Sequence, residues 1–150
     1  MANFSFLKNE FPELYENAVK AEMLVLNDCE LSIIKSRKSI ELLVKWIYQN
    51  DIQQVIGHGL TLHNLLVDDC FKAIVPAKII QKMHFIKNYG NKAIHEDTKI
   101  DNKKSLNIIS ELFNVYTWFF SKYSVFNVDL INKKNNLSLS DNGKRWQPKT

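Results

Sequence analysis

Apolar residues along this chain recur three and four positions apart, which is the spacing of one face of an α-helix. The spacing is clearest in five segments, near residues 12–26, 29–49, 60–67, 77–89 and 102–123. The alternation of apolar and polar residues that indicates a half-buried strand occurs only loosely, over 125–131. The pattern therefore predicts an all-α protein, a bundle of about five helices.

Several predicted helix ends carry residue types that favour those positions. Pro12 suits a first turn, because proline lacks the N–H group that is unpaired there. Asp28 is placed to cap the second helix, and Asp101 or Asn102 the last one. Gly90 is a candidate for the residue that ends the fourth helix, since glycine readily adopts the left-handed conformation found just beyond helix C-termini.

The distribution of charge divides the chain into two parts. The segment 124–150 holds five basic and two acidic residues, so three of the four net positive charges of the chain lie there. We predict a helical domain over 1–123 and a poorly ordered or extended basic tail or linker over 124–150. A domain that binds phosphates normally concentrates positive charge on one surface, so net charge alone is weak support for nucleic-acid binding.

Composition and motifs argue against several classes of protein. The N-terminus has no basic stretch followed by an apolar run, and no apolar run approaches the ~20 residues of a membrane helix. We therefore expect a cytoplasmic protein that makes no membrane contact. The four glycines, at positions 57, 59, 90 and 143, cannot form a nucleotide-binding phosphate loop. His58, His63 and Cys70 are spaced irregularly for a metal site, so we expect neither a metal nor another cofactor.

The segment 87–96 (KNYGNKAIHE) is the most unusual part of the sequence. It places Asn91 and His95 four residues apart, which brings both side chains to one face if the segment is helical. Histidine is the usual proton-transfer side chain near neutral pH, and asparagine can orient an imidazole or a phosphate. The alternative is that Asn91 and His95 only brace the bundle, and spacing alone favours this structural role.

Four features of the chain together resemble a known family. Residues 3–8 (NFSFLK) resemble an NFxFL opening, and residues 90–95 (GNKAIH) resemble a GNxAVH signature. Arg37 and Glu41 fall where that family carries an arginine and a glutamate, and residues 118–120 resemble its aromatic final helix. The family is the N-terminal domain of type I restriction enzyme R subunits, a domain of unknown function. The resemblance implies that the partners are other restriction-system subunits, or a helicase or nuclease on the same polypeptide.

That family is in turn similar to the HEPN superfamily of helical domains, which often dimerise, so a HEPN-like bundle and a homodimer are implied as well. Many HEPN proteins are metal-independent ribonucleases in which an Arg-x4-6-His motif acts on the 2′-hydroxyl group and the scissile phosphate. This chain departs from the motif. Its two arginines, Arg37 and Arg145, do not lie within six residues before a histidine. Lys87 lies too far before His95 for that spacing, and Lys92 lies too close.

We therefore expect a non-catalytic helical accessory or interaction domain of a type I restriction-modification or related defence system. Such a domain would assist subunit assembly or nucleic-acid handling. The alternative is a HEPN-type ribonuclease in which His95 transfers protons and Asn91 supports it. Arg37, Lys87 and Lys92 are the candidate nucleic-acid-binding residues. In the ribonuclease, Lys87 or Arg37 would take the place of the missing phosphate ligand.

Overall fold

The computed structural model describes residues 3–95 and 100–125, and all the regular structure in them is helical. The elements are a 3-10 turn at Ser5–Leu7, α1 (Pro12–Leu24), α2 (Cys29–Ile47) followed by a π-helical turn at Tyr48–Ile52, α3 (Leu62–Val67), α4 (Asp69–Ile74), α5 (Ala77–His95) and α6 (Asn102–Tyr123). The predicted all-α class is confirmed. Residues 126–150, which contain most of the predicted tail and of the weak strand pattern, lie outside the described residues.

The predicted helix ends are mostly correct. Pro12 is the first residue of α1. The Asp28 carboxylate accepts a hydrogen bond of 3.0 Å from the backbone N–H of Leu31, and Asp101 accepts one of 2.8 Å from that of Lys104. Each carboxylate therefore satisfies an N–H group that its helix leaves unpaired.

Two features of the helices differ from the prediction. Helix α4 was not predicted, because Phe71 is its one buried residue and no apolar stripe marks it, whereas α3, of the same length, buries three leucines. Helix α5 does not end at Gly90 but continues for another turn to His95. The prediction that Gly90 terminates the helix was therefore wrong, because Gly90 lies where α5 packs closely against Arg37 of α2.

Helix α2 is the centre of the bundle and packs against α1, α5 and α6. The fully buried apolar side chains of α2 and α6 are Ile33, Ile40, Leu43, Val44, Ile47, Ile108, Ile109, Leu112, Val115, Tyr116 and Phe119. The Tyr116 hydroxyl group donates a hydrogen bond of 2.8 Å to the carbonyl oxygen of Ser39, so this buried phenol is paired. With α1 and α6 packed on other sides of α2, α5 is held directly against it, and this contact positions the candidate site.

The NFxFL-like opening of the chain has a structural role. Phe4 and Leu7 are fully buried in the core. Asn3 donates hydrogen bonds from its backbone N–H and its side-chain amide to the two carboxylate oxygens of Glu22, at 2.9 and 2.8 Å. These contacts fasten the segment before α1 to the bundle, so packing explains this part of the motif.

Candidate functional site

Helices α2 and α5 approach each other so closely at Gly90 that no side chain fits between them. A Cβ atom added to Gly90 would lie 2.5 Å from the Cβ atom of Arg37 and 2.6 Å from its Cδ atom. Real Cβ atoms do not approach other carbon atoms that closely, so glycine is the residue that permits this crossing. Gly90 therefore serves the packing of two helices rather than the end of one.

Arg37 lies across this crossing and connects the two helices. Its Nε–H group donates a hydrogen bond of 2.8 Å to Oδ1 of Asn91, on α5. Its Nη1 group donates one of 3.3 Å to Oε2 of Glu41, one turn further along α2. The Arg37 side chain is 24% exposed, so part of it reaches solvent. Two separate parts of the sequence, Arg37 with Glu41 and Gly90 with Asn91, are thus one site in the fold.

The carboxylate of Glu41 is shared between two cations. Its Oε2 atom accepts from Arg37, and its Oε1 atom accepts a hydrogen bond of 2.9 Å from Nζ of Lys45. Partial burial favours the neutral form, but the hydrogen bond from Lys45 and the charges of Lys38, Lys45 and Arg37 hold the pKa of Glu41 below its usual range. The single carboxylate of Glu41 is therefore shared among several cations, and it neutralises the charge of Arg37 only in part.

Lys87 lies one helical turn before Asn91 and is only 6% exposed. Its Nζ atom is 2.9 Å from Nδ1 of His63, which reaches it from α3. Burial, and then the charge of Arg37, lowers the pKa of Lys87. Both causes act against the protonated form of the amine. The ammonium group of Lys87 is thus held where burial and the charge of Arg37 both disfavour its protonated form.

His84 extends this cluster by a further turn of α5. Its ring centroid lies 5.7 Å from that of His63. Partial burial lowers the pKa of His84, and the positive charges of Lys87, His63 and Lys72 lower it further. The cluster formed by Arg37, Lys87, His63 and His84 is therefore basic in character, with the Glu41 carboxylate at one side.

The remaining predicted residues occupy two different positions. His95 is the last residue of α5 and is exposed, one turn beyond Asn91 and on the same side of the helix. Lys92 is exposed on another side, where its Nζ atom lies 5.2 Å from the ring centroid of Tyr89. The structure thus groups Arg37, Lys87 and Asn91, places His95 next to that group, and separates Lys92 from it.

Sequence reasoning missed the part of the cluster formed by His63 and His84. His63 is 24 residues from its partner Lys87, and no short-range spacing reveals such a pair. A signal was nevertheless present in the register of α5. His84, Lys87, Asn91 and His95 recur three and four positions apart, so four polar side chains fall along one side of a helix.

Residues 3–95 and 100–125 contain no group of three histidine, cysteine, aspartate or glutamate side chains that could hold a metal ion. None of their helices combines the length and the apolar character that crossing a membrane would require.

The fold and the site define an all-helical domain in which α2 and α5 cross at Gly90. At this crossing Arg37 of α2 donates a hydrogen bond to Asn91 of α5. The chain belongs to the family described as Domain of unknown function (DUF4145), which it matches over residues 19–139. The match includes all five predicted site residues. A search of curated proteins and a search of solved structures each found no match.

Proposed function

We propose that this chain is a non-catalytic helical accessory domain of a type I restriction-modification or related defence system, and that it assists nucleic-acid handling by binding phosphates at the α2–α5 crossing. The observation that carries the proposal is the cluster at this crossing, in which Asn91 orients Arg37 beside the buried Lys87. The link to restriction systems rests on the resemblance of residues 3–8 and 90–95 to their R subunits.

The hydrogen bonds that orient the Arg37 guanidinium support phosphate binding. A guanidinium has five N–H groups in a rigid fork that matches the oxygen atoms of a phosphate. Asn91 and Glu41 are its hydrogen-bond partners among the described residues, and they hold it through Nε and one Nη atom. The side chain is thereby oriented, and its Nη2 group makes no hydrogen bond with the described residues, which leaves that group for an anion.

The charge around Lys87 supports the same conclusion. The pKa of Lys87 is lowered by burial and by Arg37, and that of His84 by burial and by cations, so the local environment repels added protons. An anion bound beside Lys87 and Arg37 would relieve this repulsion. A phosphodiester, which is always negatively charged near neutral pH, has the required chemistry.

The direct test is nucleic-acid binding by the 150-residue chain and its Arg37→Gln variant. We expect Arg37→Gln to weaken binding to all sequences about equally and to reduce the slope of log K against log salt by about 1, as loss of one phosphate contact does. Lys20→Gln is a matched control, because Lys20 is an exposed cation on α1. Equal loss in the control, or no binding by the wild type, would contradict phosphate binding at this site.

The proposed place in a restriction or defence assembly has its own test. Deletion of residues 1–123 from the native assembly should impair complex formation or the restriction of DNA. If both are unchanged, the accessory role is wrong. A copurifying restriction subunit or helicase would identify the partner, and the mass of the purified chain in solution would test the implied homodimer.

One observation favours a second candidate function, a metal-independent ribonuclease of HEPN type. The sequence lacks an arginine at the usual distance before His95, yet the fold brings Arg37 to Asn91, one turn from His95. His95 would transfer protons, and Arg37 or Lys87 would bind the scissile phosphate. RNA cleavage in excess EDTA that yields cyclic phosphate ends and disappears in His95→Ala would establish this activity. Absence of cleavage by the wild type would exclude it.

A further inference from the structure

A second surface lies on the side of α5 that faces α6, away from the α2–α5 crossing. Lys82, Phe85, Tyr89 and Lys92 recur three and four positions apart on α5, and Lys104 and Glu111 of α6 contact them. We call these six residues the Tyr89 surface. Lys92 is exposed and the other five are half-buried, so every member reaches solvent.

The centre of the Tyr89 surface is a pair of aromatic rings bordered by lysines. The ring centroids of Phe85 and Tyr89 are 5.0 Å apart, with an angle of 67° between the ring planes. Nζ of Lys104 donates a hydrogen bond of 3.1 Å to the Tyr89 hydroxyl group and lies 4.3 Å from the ring centroid. Nζ of Lys92 lies 5.2 Å from the same centroid. Two ammonium groups on flexible stems therefore border one tyrosine ring.

The charge of this surface is positive at the ring. The Glu111 carboxylate forms an ion pair with Lys82, whereas Lys92 and Lys104 have no carboxylate partner among the described residues. The hydrogen bond from Lys104, its charge and that of Lys92 lower the pKa of Tyr89. A ligand that fits here would therefore combine negative charge with a flat apolar group that can lie against a ring.

Single-stranded nucleic acid has this combination, because its bases stack on aromatic side chains while its phosphates bind lysines. The length of the surface also favours an extended ligand. Lys82 and Lys92 are ten residues apart on α5, a distance of about 15 Å along the helix axis. A free phosphate cannot contact both ends. Duplex nucleic acid presents phosphates but keeps its bases stacked inside, away from Tyr89.

We propose that the Tyr89 surface binds single-stranded nucleic acid, with a base stacked on Tyr89 and adjacent phosphates bound by Lys92 and Lys104. This inference rests on the proposed function in nucleic-acid handling. It adds that unpaired bases are recognised, and it assigns them to a face of α5 other than the one that carries Asn91. Lys92, which lies apart from the cluster at the α2–α5 crossing, is part of this surface.

The test compares binding of a labelled thymidine oligonucleotide of about 12 nucleotides with binding of a duplex of the same length, by fluorescence anisotropy. We expect Tyr89→Leu to weaken single-strand binding about 5- to 150-fold, since stacking contributes about 1–3 kcal/mol per base. Tyr89→Phe keeps the ring and should recover most of the affinity. Tyr15→Leu is the matched control, because Tyr15 is a half-buried tyrosine on α1.

The lysines are tested by salt dependence. The double variant Lys92→Gln and Lys104→Gln should reduce the slope of log K against log salt by about 1.4, which is about 0.7 for each phosphate contact to a single strand. Lys20→Gln should leave the slope unchanged. Photo-cross-linking of a 5-iodouracil oligonucleotide to the wild-type chain requires no variant, and we expect the cross-linked peptide to contain Tyr89.

The outcomes separate this inference from the function on which it rests. Unchanged single-strand affinity in Tyr89→Leu, or cross-linking only to other helices, would overturn the stacking surface. If Arg37→Gln still weakens binding in that case, phosphate binding at the α2–α5 crossing stands. If the wild type binds neither oligonucleotide, both proposals fail.

Discussion

Lys87 occupies a position in which an apolar side chain would be more favourable for folding. It is 6% exposed, and lysine is rarely buried to that extent without a charged partner. Its partner, His63, is an imidazole rather than a carboxylate. Because the pKa of Lys87 is lowered in the folded state, the unfolded chain binds this proton more readily. At any pH below the lowered pKa, the charge of this amine therefore lowers the free energy of unfolding.

We expect Lys87→Met to raise the melting temperature at neutral pH and to weaken nucleic-acid binding. Methionine has a similar length and no charge, so it fills the site without the cost of a buried ammonium group. Thermal denaturation followed by circular dichroism measures the first effect, and fluorescence anisotropy measures the second. Lys20→Met, at an exposed position on α1, is the control. A lower melting temperature with unchanged binding would make Lys87 a structural residue.

At the residue scale, the sequence identified the members of the candidate site better than their contacts. Arg37 was predicted from the family resemblance and Asn91 from its spacing to His95 and the same resemblance, but the hydrogen bond that joins them spans 54 positions of the sequence. His63 was considered only for a metal site, and its contact with Lys87 stayed hidden because the two residues lie on different helices. Contacts of this kind depend on how helices pack, and local spacing does not encode that.

At the scale of helices, Gly90 sets the distance between α2 and α5. The added Cβ atom would approach the Cβ atom of Arg37, which is fixed to the backbone and cannot rotate away. The helices would therefore have to separate, and the hydrogen bond from Arg37 to Asn91 would lengthen. The same contact explains why a glycine lies inside a helix, where it normally costs roughly 1 kcal/mol relative to alanine.

We expect Gly90→Ala to lower the free energy of unfolding, because overpacking costs about 1–3 kcal/mol and outweighs the gain in helix propensity. Urea denaturation measures this change. Gly57→Ala is the matched control, since an added Cβ atom there meets only an ordinary contact, 3.9 Å from Cδ1 of Leu60. In an Arg37→Gly background, Gly90→Ala should cost less than it does in the wild type, because the opposing Cβ atom is absent. Increased stability in Gly90→Ala alone would contradict this account of the crossing.

The long helices could be predicted from sequence because each has an apolar stripe that repeats for several turns. Helix α4 buries only Phe71 and therefore has no such stripe. The last turn of α5 was missed for a different reason: a glycine near the end of a helical pattern usually indicates a helix end, but Gly90 is there to admit a neighbouring helix. Tertiary packing therefore overrides the local preference at the very place where the candidate site is formed.

At the scale of the whole molecule, the buried apolar residues form one cluster that includes side chains from α1 to α6. A single core of this kind favours cooperative unfolding. A group whose protonation disfavours the packing of α3 and α4 against α5 should therefore affect global stability. His84 is such a group, because burial and then electrostatic repulsion from Lys87, His63 and Lys72 lower its pKa below 6.5.

The direction of the pH effect follows from this lowered pKa. Below pH 6.5 the unfolded chain protonates His84 more readily than the folded one, so stability is complete above that pH and is lost as pH falls toward the folded pKa. We expect the free energy of unfolding to be lower at about pH 5.5 than at about pH 7.5. His84→Asn should reduce the difference, whereas His58→Asn, in an exposed loop, should not. An equal difference in all three proteins would rule out His84 as the cause.

The contact between Gly90 and Arg37 also constrains how this family can diverge. A side chain at position 90 is compatible with the crossing only if position 37 loses its own Cβ atom, so the two positions are expected to change together. Relatives that keep glycine at position 90 can keep arginine at position 37. They can then also keep the hydrogen bond from that arginine to an asparagine at position 91. Covariation of these two alignment columns would then mark the same helix crossing in relatives too distant to recognise by overall sequence identity.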